Sequence, residues 1–301
     1  MAQILVVGSL AYDSVQTPYG KVDRALGGSA NYFSLSASLF APVRVVGVVG
    51  KDYDSKDLDL LRSRSVDTTG LQIREGKTFH WAGSYEGDMN EATTHATELN
   101  VFESFDPRIP ESYVDSDFVF LANIHPALQM KVLSQVRKPL FTGMDTMNFW
   151  ITGARRDLDQ VLQKVDVILI NEKESMMLTS SPNAVAAAGR VLELGPKAVV
   201  IKRGEYGFLM CTREGFFILP AYPTPTVIDP TGAGDSFAGG FFGYLASLKK
   251  IPGLQDLKEA CIHGTTMASF TIQDFSVRAL QKVDLVTFAQ RMKAYRAVVS
   301  S

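Results

Sequence analysis

The sequence predicts an α/β protein: a doubly wound, mostly parallel sheet with helices on both faces, carrying a small β lid. Three observations predict it. Apolar, β-rich runs recur along the chain and are continuous rather than alternating, as in strands buried on both faces of a parallel sheet. Helical patterns lie between them in the rhythm of βαβ units. One polar, aromatic segment breaks that rhythm, and a ligand-covering insertion does so in such folds.

Taken in order, "QILVVGS" (3–9) is strand-like, and "GGSANYFSLSASLF" (27–40) is a helix entered through two glycines. "VRVVGVVG" (43–50) is a strand and "DSKDLDLLRSR" (54–64) a helix. Continuous strand runs follow at 117–123, 139–145, 166–171 and 198–204, with helical patterns at 126–137, 154–165, 172–179 and 183–194. "GFLMC" and "GFFILP" flank "TREG" as a hairpin at one sheet edge, and the chain from 234 onward is mostly helical. The segment 77–102, "KTFHWAGSYEGDMNEATTHATELNVF", reads as two extended stretches outside the main sheet around the turn "EGDMN". Phe79, Trp81 and Tyr85 stand there at alternate spacing. They could stack on a flat ligand or simply pack a strand.

A length of 301 residues fits one large α/β domain or two smaller ones. Without a repeat, low-complexity tract or long linker, a single domain over 1–301 is expected. The composition, 46% apolar and 21% charged, allows a sizeable core. A net charge of −2 provides no basic field for nucleic acid or anionic membranes. Cys211 and Cys261 make neither a disulfide framework nor a zinc spacing. "MAQILVVGSL" lacks a basic segment before its apolar run and reads as a buried strand, not a signal peptide. The apolar stretch "SFAGGFFGYLASL" is short for a membrane span. A cytoplasmic location is expected.

Ligands of open parallel sheets bind beyond the carboxyl ends of the strands. Asp13, Asn123, Asp145, Asn171, Glu172 and Glu174 fall at such ends. Singly, each is an ordinary cap or loop residue; together they share one rim. The stretch "VIDPTGAGDSFAGGFFGYL" (227–245) adds glycines 232 and 234 before a helix start. Convergent backbone N–H groups and the helix dipole attract phosphate there. Asp235, set among them, suits a base facing a hydroxyl next to a transferring phosphoryl group. The plainer reading is an Asp-capped helix with a glycine turn. It is not a Walker loop, because "GxxxxGK[ST]" is absent.

With these residues in place, the chain resembles the ribokinase family, the PfkB-type carbohydrate and nucleoside kinases. "DPTGAGDSFAGGF" is similar to the family's C-terminal signature, "LGGSANYFSLSASLF" to its N-terminal one, and "NEKE" to its Asn-x-x-Glu pattern; "IKRGEYG" has its two spaced glycines. Order and spacing match over essentially the whole chain. The resemblance implies that Asp235 is the catalytic base and that Gly232, Ala233 and Gly234 form the anion hole. It implies that Asp13, Gly27, Gly28 and Asn31 hold the acceptor's hydroxyls. Asn171, Lys202, Gly204, Gly207 and Thr231 would bind ATP, with Glu174 placing Mg2+ through water. Segments 224–227 and 260–270 would line the nucleotide pocket, and 77–102 would form a lid with strand residues near 12–20.

Two departures stand out. Lys202 occupies a position where the family commonly has Thr. The family's Gly-Ala pair near its monovalent-cation site is replaced by "QDFSV", so the resemblance does not extend to a potassium site, although Asp229 and Thr231 could contribute oxygens. Three readings follow: a sugar kinase first, a nucleoside kinase second, and a non-catalytic sugar binder third. An intact Asp235 argues against the last. The expected partners are a small sugar or nucleoside and a second copy of the chain through the lid, not nucleic acid or membrane.

Overall fold

The computed structural model describes residues 2–300. In chain order, β1 (Ile4–Val7) leads into a hairpin of β2 (Ala11–Thr17) and β3 (Gly20–Gly27). α1 (Ser29–Ala37), β4 (Val43–Gly50), α2 (Ser55–Ser63) and β5 (Val66–Arg74) follow. β6 (Phe79–Tyr85) and β7 (Ala92–Glu98) form a second hairpin. Next come β8 (Phe118–Leu121), α3 (Pro126–Leu133), β9 (Phe141–Met144), α4 (Asn148–Gly153) and α5 (Arg155–Leu162). β10 (Val167–Asn171), α6 (Glu172–Thr179), α7 (Ala184–Glu193) and β11 (Ala198–Lys202) continue the alternation. A hairpin of β12 (Phe208–Thr212) and β13 (Gly215–Leu219) precedes α8 (Ala233–Ser247), α9 (Leu254–Thr271) and α10 (Leu285–Val299).

Nine strands form one sheet in the order β13-β12-β11-β10-β9-β8-β1-β4-β5. Seven run parallel; β12 and β13 are the antiparallel edge hairpin. Successive residues of β1 show why its run is continuously apolar. Ile4 and Val6 join a core with α1, α8, α9 and α10, whereas Leu5 and Val7 join a core with α3, α5 and α7. All four are fully buried, and each contributes roughly 1.5–3 kcal/mol.

The chain winds from β1 out to β4 and β5, then returns to β8 on the other side of β1. That reversal opens a crevice beyond the carboxyl ends of the strands. Over it lies a second sheet, ordered β3-β2-β6-β7. It takes in residues 11–27 as a full hairpin, wider than the expected strand near 12–20. β5, β3 and α4 were not legible as elements. β5, at the sheet edge, mixes Asp, Thr and Gln with its apolar residues, and much of β3 is exposed. The helical patterns at 126–137 and 154–165 shorten to Pro126–Leu133 and Arg155–Leu162. Among the described residues, no helix is long and apolar enough to cross a membrane.

Candidate active site

The crevice is lined by strand ends. β9 delivers Asp145, β10 ends on Asn171, and β11 ends on Lys202, directly opposite Asn171 in the register. Facing them is the start of α8. Gly232 caps that helix at φ +75°, a left-handed conformation in which a side chain is strained. A Cβ there would also run into the ring of fully buried Tyr32. The N–H groups of Gly232 and Gly234 donate to no group among the described residues, so they are free for an anion. Ala233 differs from expectation: its N–H donates to the Pro230 carbonyl at 3.1 Å, so the turn itself uses one of the three amides.

The turn is fixed from below. Asp229 is buried; its Oδ1 accepts from the Thr231 N–H at 2.9 Å and its Oδ2 from the Ser276 N–H at 3.1 Å. Of the two residues offered as monovalent-cation ligands, Asp229 thus already binds an amide with each carboxylate oxygen, and the Thr231 hydroxyl faces that of Tyr85. The α8 body then packs closely. A Cβ on Gly240 would lie 2.9 Å from the His263 carbonyl, and one on Gly243 2.9 Å from the Ala37 carbonyl. Ser236 and Thr271 hydroxyls bond at 2.7 Å between α8 and α9.

Asp235 lies in the first turn of α8. Burial, with the Asp145 carboxylate nearby, pushes its pKa up to about 7, against the opposing pull of Lys202. Asp145 Oδ2 and Lys202 Nζ are 3.3 Å apart. The Lys202 ammonium also lies 2.9 Å from where a Gly234 Cβ would stand, at the helix N-terminus. Burial opposes its charge, but Asp145, Glu174 and Asp235 together raise its pKa, so it is a firm cation. Lys202 is therefore neither free nor solvated; it faces the anion turn.

Glu174 and Asn171 form a capping box at the start of α6, Glu174 Oε2 accepting from the Asn171 N–H at 3.0 Å and Asn171 Oδ1 from the Glu174 N–H at 2.8 Å. The plainer reading of "NEKE" is thus realised. Glu174 still faces the site: burial, then Asp145, pushes its pKa up to about 7. Among the described residues, no cluster of three or more His, Cys, Asp or Glu side chains could hold a metal alone. A single carboxylate such as Glu174 suits an ion held mainly by bound phosphates and water, as Mg2+ usually is.

On the opposite side, Asp13 is buried over Gly27, whose missing side chain makes room for its carboxylate. Burial, then Asp229, pushes its pKa up to about 7, while the Gly28 N–H pulls it down. Gly28 turns into α1 at φ +90°. Asn31 is fully buried, donating to the Gly27 carbonyl at 2.6 Å and accepting from the Tyr53 hydroxyl at 3.3 Å. Asn31 therefore braces the Gly27–Gly28 turn.

The second sheet closes over this chemistry. Trp81 and Tyr85 share a cluster with Val15, Val22 and Phe275. Phe79 does not face the site; it stacks on Phe102 at 5.4 Å. The Thr231 hydroxyl reaches the Tyr85 hydroxyl at 3.4 Å. At the β6–β7 turn, Asn90 stands against Gly204 and Glu91 pairs with Lys173. The hairpin thus bridges from the acceptor side to the expected nucleotide side. Gly204, at φ +56°, admits that close approach, while Gly207 is required by the adjoining Leu219–Ala221 backbone. Asn123 serves locally, accepting from the Trp150 indole N–H at 2.8 Å. The residue that sequence reasoning left without a role is Asp145, whose strand-end position was the one available signal.

The profile of the pfkB family carbohydrate kinases matches residues 1–283. A cytidine kinase of Thermococcus kodakarensis is 33% identical, the match covering 81% of this chain and 89% of that protein. The crystal structure of a Methanocaldococcus jannaschii nucleoside kinase superposes with a TM-score of 0.78 at 18% identity, covering 98% of this chain and 99% of that one. Arabidopsis thaliana ribokinase complexed with ribose and ATP superposes with a TM-score of 0.76 at 19% identity, covering 97% and 99%. The chain belongs to the pfkB family, the ribokinase-like sugar and nucleoside kinases.

Proposed function

We propose that this protein transfers the γ-phosphoryl group of ATP to a hydroxyl of a ribonucleoside. The acceptor lies between Asp13 and the second sheet, which acts as a lid, with its hydroxyl at Asp235. Asp235 accepts the hydroxyl proton as the oxygen bonds to phosphorus and the bond to the ADP leaving oxygen breaks. The free amides of Gly232 and Gly234, with Lys202, hold the charge on the transferring group. Mg2+, placed by Glu174 and Asn171, supplies further neutralisation of the phosphate oxygens when bound.

The sequence alone favours a free sugar. The observation that moves a nucleoside ahead is the lid face, where Trp81 and Tyr85 gather with Phe275 beside Asp13's strand. A free sugar needs no such aromatic surface, whereas a base gains about 1–3 kcal/mol from stacking on one. The cytidine kinase relative supports the same reading. The free sugar remains the second reading, because Asp13 reads a diol and ribose presents one too.

A turnover screen with ATP decides between them. Cytidine or another ribonucleoside is expected to be phosphorylated, with free ribose and fructose poor. Turnover of a free sugar and of no nucleoside overturns the acceptor class. The 2′-deoxynucleoside is expected to be strongly rejected, since it leaves buried polar groups unpaired. A second copy pairing along β7, the exposed edge of the lid sheet, belongs to the same reading. Sedimentation velocity is expected to show a dimer that Thr94→Pro returns to monomer.

A further inference from the structure

Asp145 and Lys202 come from β9 and β11, and β10 runs between them. Lys202 therefore reaches across the end of β10 to make its 3.3 Å pair, and both side chains are largely buried. Asp145 is itself anchored. Its carbonyl accepts from Gln129 Nε2 at 3.1 Å, and that amide also donates to the Leu121 and Ala122 carbonyls at 3.2 and 3.1 Å. Gln129 is buried in α3 and so clamps the ends of β8 and β9 together. Asp145 Oδ1 accepts from the Thr146 N–H at 2.8 Å, which leaves Oδ2 for the lysine.

We propose that Asp145 is a positioning residue: fixed by Gln129, it holds the Lys202 ammonium across β10 at the start of α8, where the transferring phosphoryl group sits. The inference rests on the kinase reading above. A lysine has a long, flexible stem and a strongly hydrated head, so without a partner it would leave a water-poor crevice. With Asp145 as partner, the charge is already in place when phosphate arrives, and no reorganisation is needed at the moment of transfer. Glu174 and Asp235 also face the ammonium, but Asp145 is the group that bonds it.

A double-mutant cycle tests this. Asp145→Asn is expected to lower kcat with MgATP by about 10²-fold, the cost of a lost phosphoryl donor, with acceptor KM little changed and melting retained. In the Lys202→Ala background the same substitution is expected to change kcat by less than about twofold, since its target is gone. Lys202→Arg is expected to recover part of the activity. Equal losses from Asp145→Asn in both backgrounds overturn the inference and would assign Asp145 a direct role on metal or phosphate. Pulse acylation of Lys202, read by mass spectrometry, needs no acceptor. Labelling is expected to be faster in Asp145→Asn; equal rates overturn the inference even if no acceptor is turned over, the outcome that would instead sink the kinase reading.

Discussion

The base role proposed for Asp235 requires it to be ionised, and its surroundings hold its pKa up at about 7. A base in that range is strong enough to take a hydroxyl proton yet ionised near neutral pH. Its activity should therefore rise with pH through about 7 and level off above, measured as kcat/KM for the acceptor. Asp235→Asn should cost roughly 10²- to 10⁴-fold in kcat while ATP binding, read by calorimetry, persists. Comparable turnover in that variant would remove Asp235 from the role of base. Its place in the first turn of α8 was legible because the signal is local: glycines, aspartate and apolar helix lie within one short stretch. The Asp145–Lys202 pair was not legible, because 57 residues separate its members and only the sheet order brings them together. Asn31 reads from the sequence as a ligand of the acceptor; the fold adds a second duty, because it is fully buried, donates to the Gly27 carbonyl and accepts from the Tyr53 hydroxyl.

The start of α8 separates two glycines that sequence alone treats alike. At Gly232 a side chain meets both a left-handed φ and the fixed ring of Tyr32. At Gly234 it meets only the far end of the Lys202 side chain, at 2.9 Å. Gly232→Ala is therefore expected to lower Tm clearly, the strain and overpacking costing about 1–3 kcal/mol each. Gly234→Ala should melt normally and lose kcat, because the methyl displaces the ammonium from the anion turn. A Gly234→Ala variant with normal kcat would make Lys202 a bystander. In the proposed lid, Trp81→Ala should raise the KM of a nucleoside by up to about 10- to 100-fold, the loss of one stacked base. Phe79→Ala should act on lid stability, since Phe79 packs on Phe102. The exposed Lys173–Glu91 pair adds little to closure, as surface ion pairs are worth about 0–1 kcal/mol. At this scale the buried parallel strands were legible from their continuous apolar runs, as at 43–50 and 198–202. The edge strand β5 was not, because an exposed side needs no apolar signal, whereas β13 at the other edge was marked by its hairpin turn.

Across the whole molecule, the crevice concentrates carboxylates that the protein's own cations do not fully neutralise. Asp13, Glu174 and Asp235 are each held up at about 7. Folding raises these pKa values above their unfolded range of about 4, so the native state binds protons more tightly than the unfolded chain. Their contribution to stability is fully present below about pH 4 and is lost as pH rises through about 7. His263 works the other way. Burial lowers its pKa to about 4, so it contributes stability above about pH 6.5 that is lost as pH falls. A bare Tm profile mixes these opposed groups, and a comparison of variants isolates one of them. Asp235→Asn removes one strained carboxylate while Lys202 keeps Asp145 as its partner. It also removes an acid from the first turn of α8, which costs only about 0.3–1 kcal/mol of dipole interaction. The relief of a buried, repelled charge is larger, so at pH 8 the ligand-free variant should melt a few degrees above the wild type, on the order of 1–2 kcal/mol. The gain should shrink as pH falls below about 7 and be gone by about pH 4, where the carboxyl is protonated in the folded and the unfolded chain alike. A function-bearing site stored as electrostatic strain would then account for greater stability and lost turnover in one substitution. A variant that melts below the wild type at pH 8 would mean instead that Lys202 by itself neutralises Asp235.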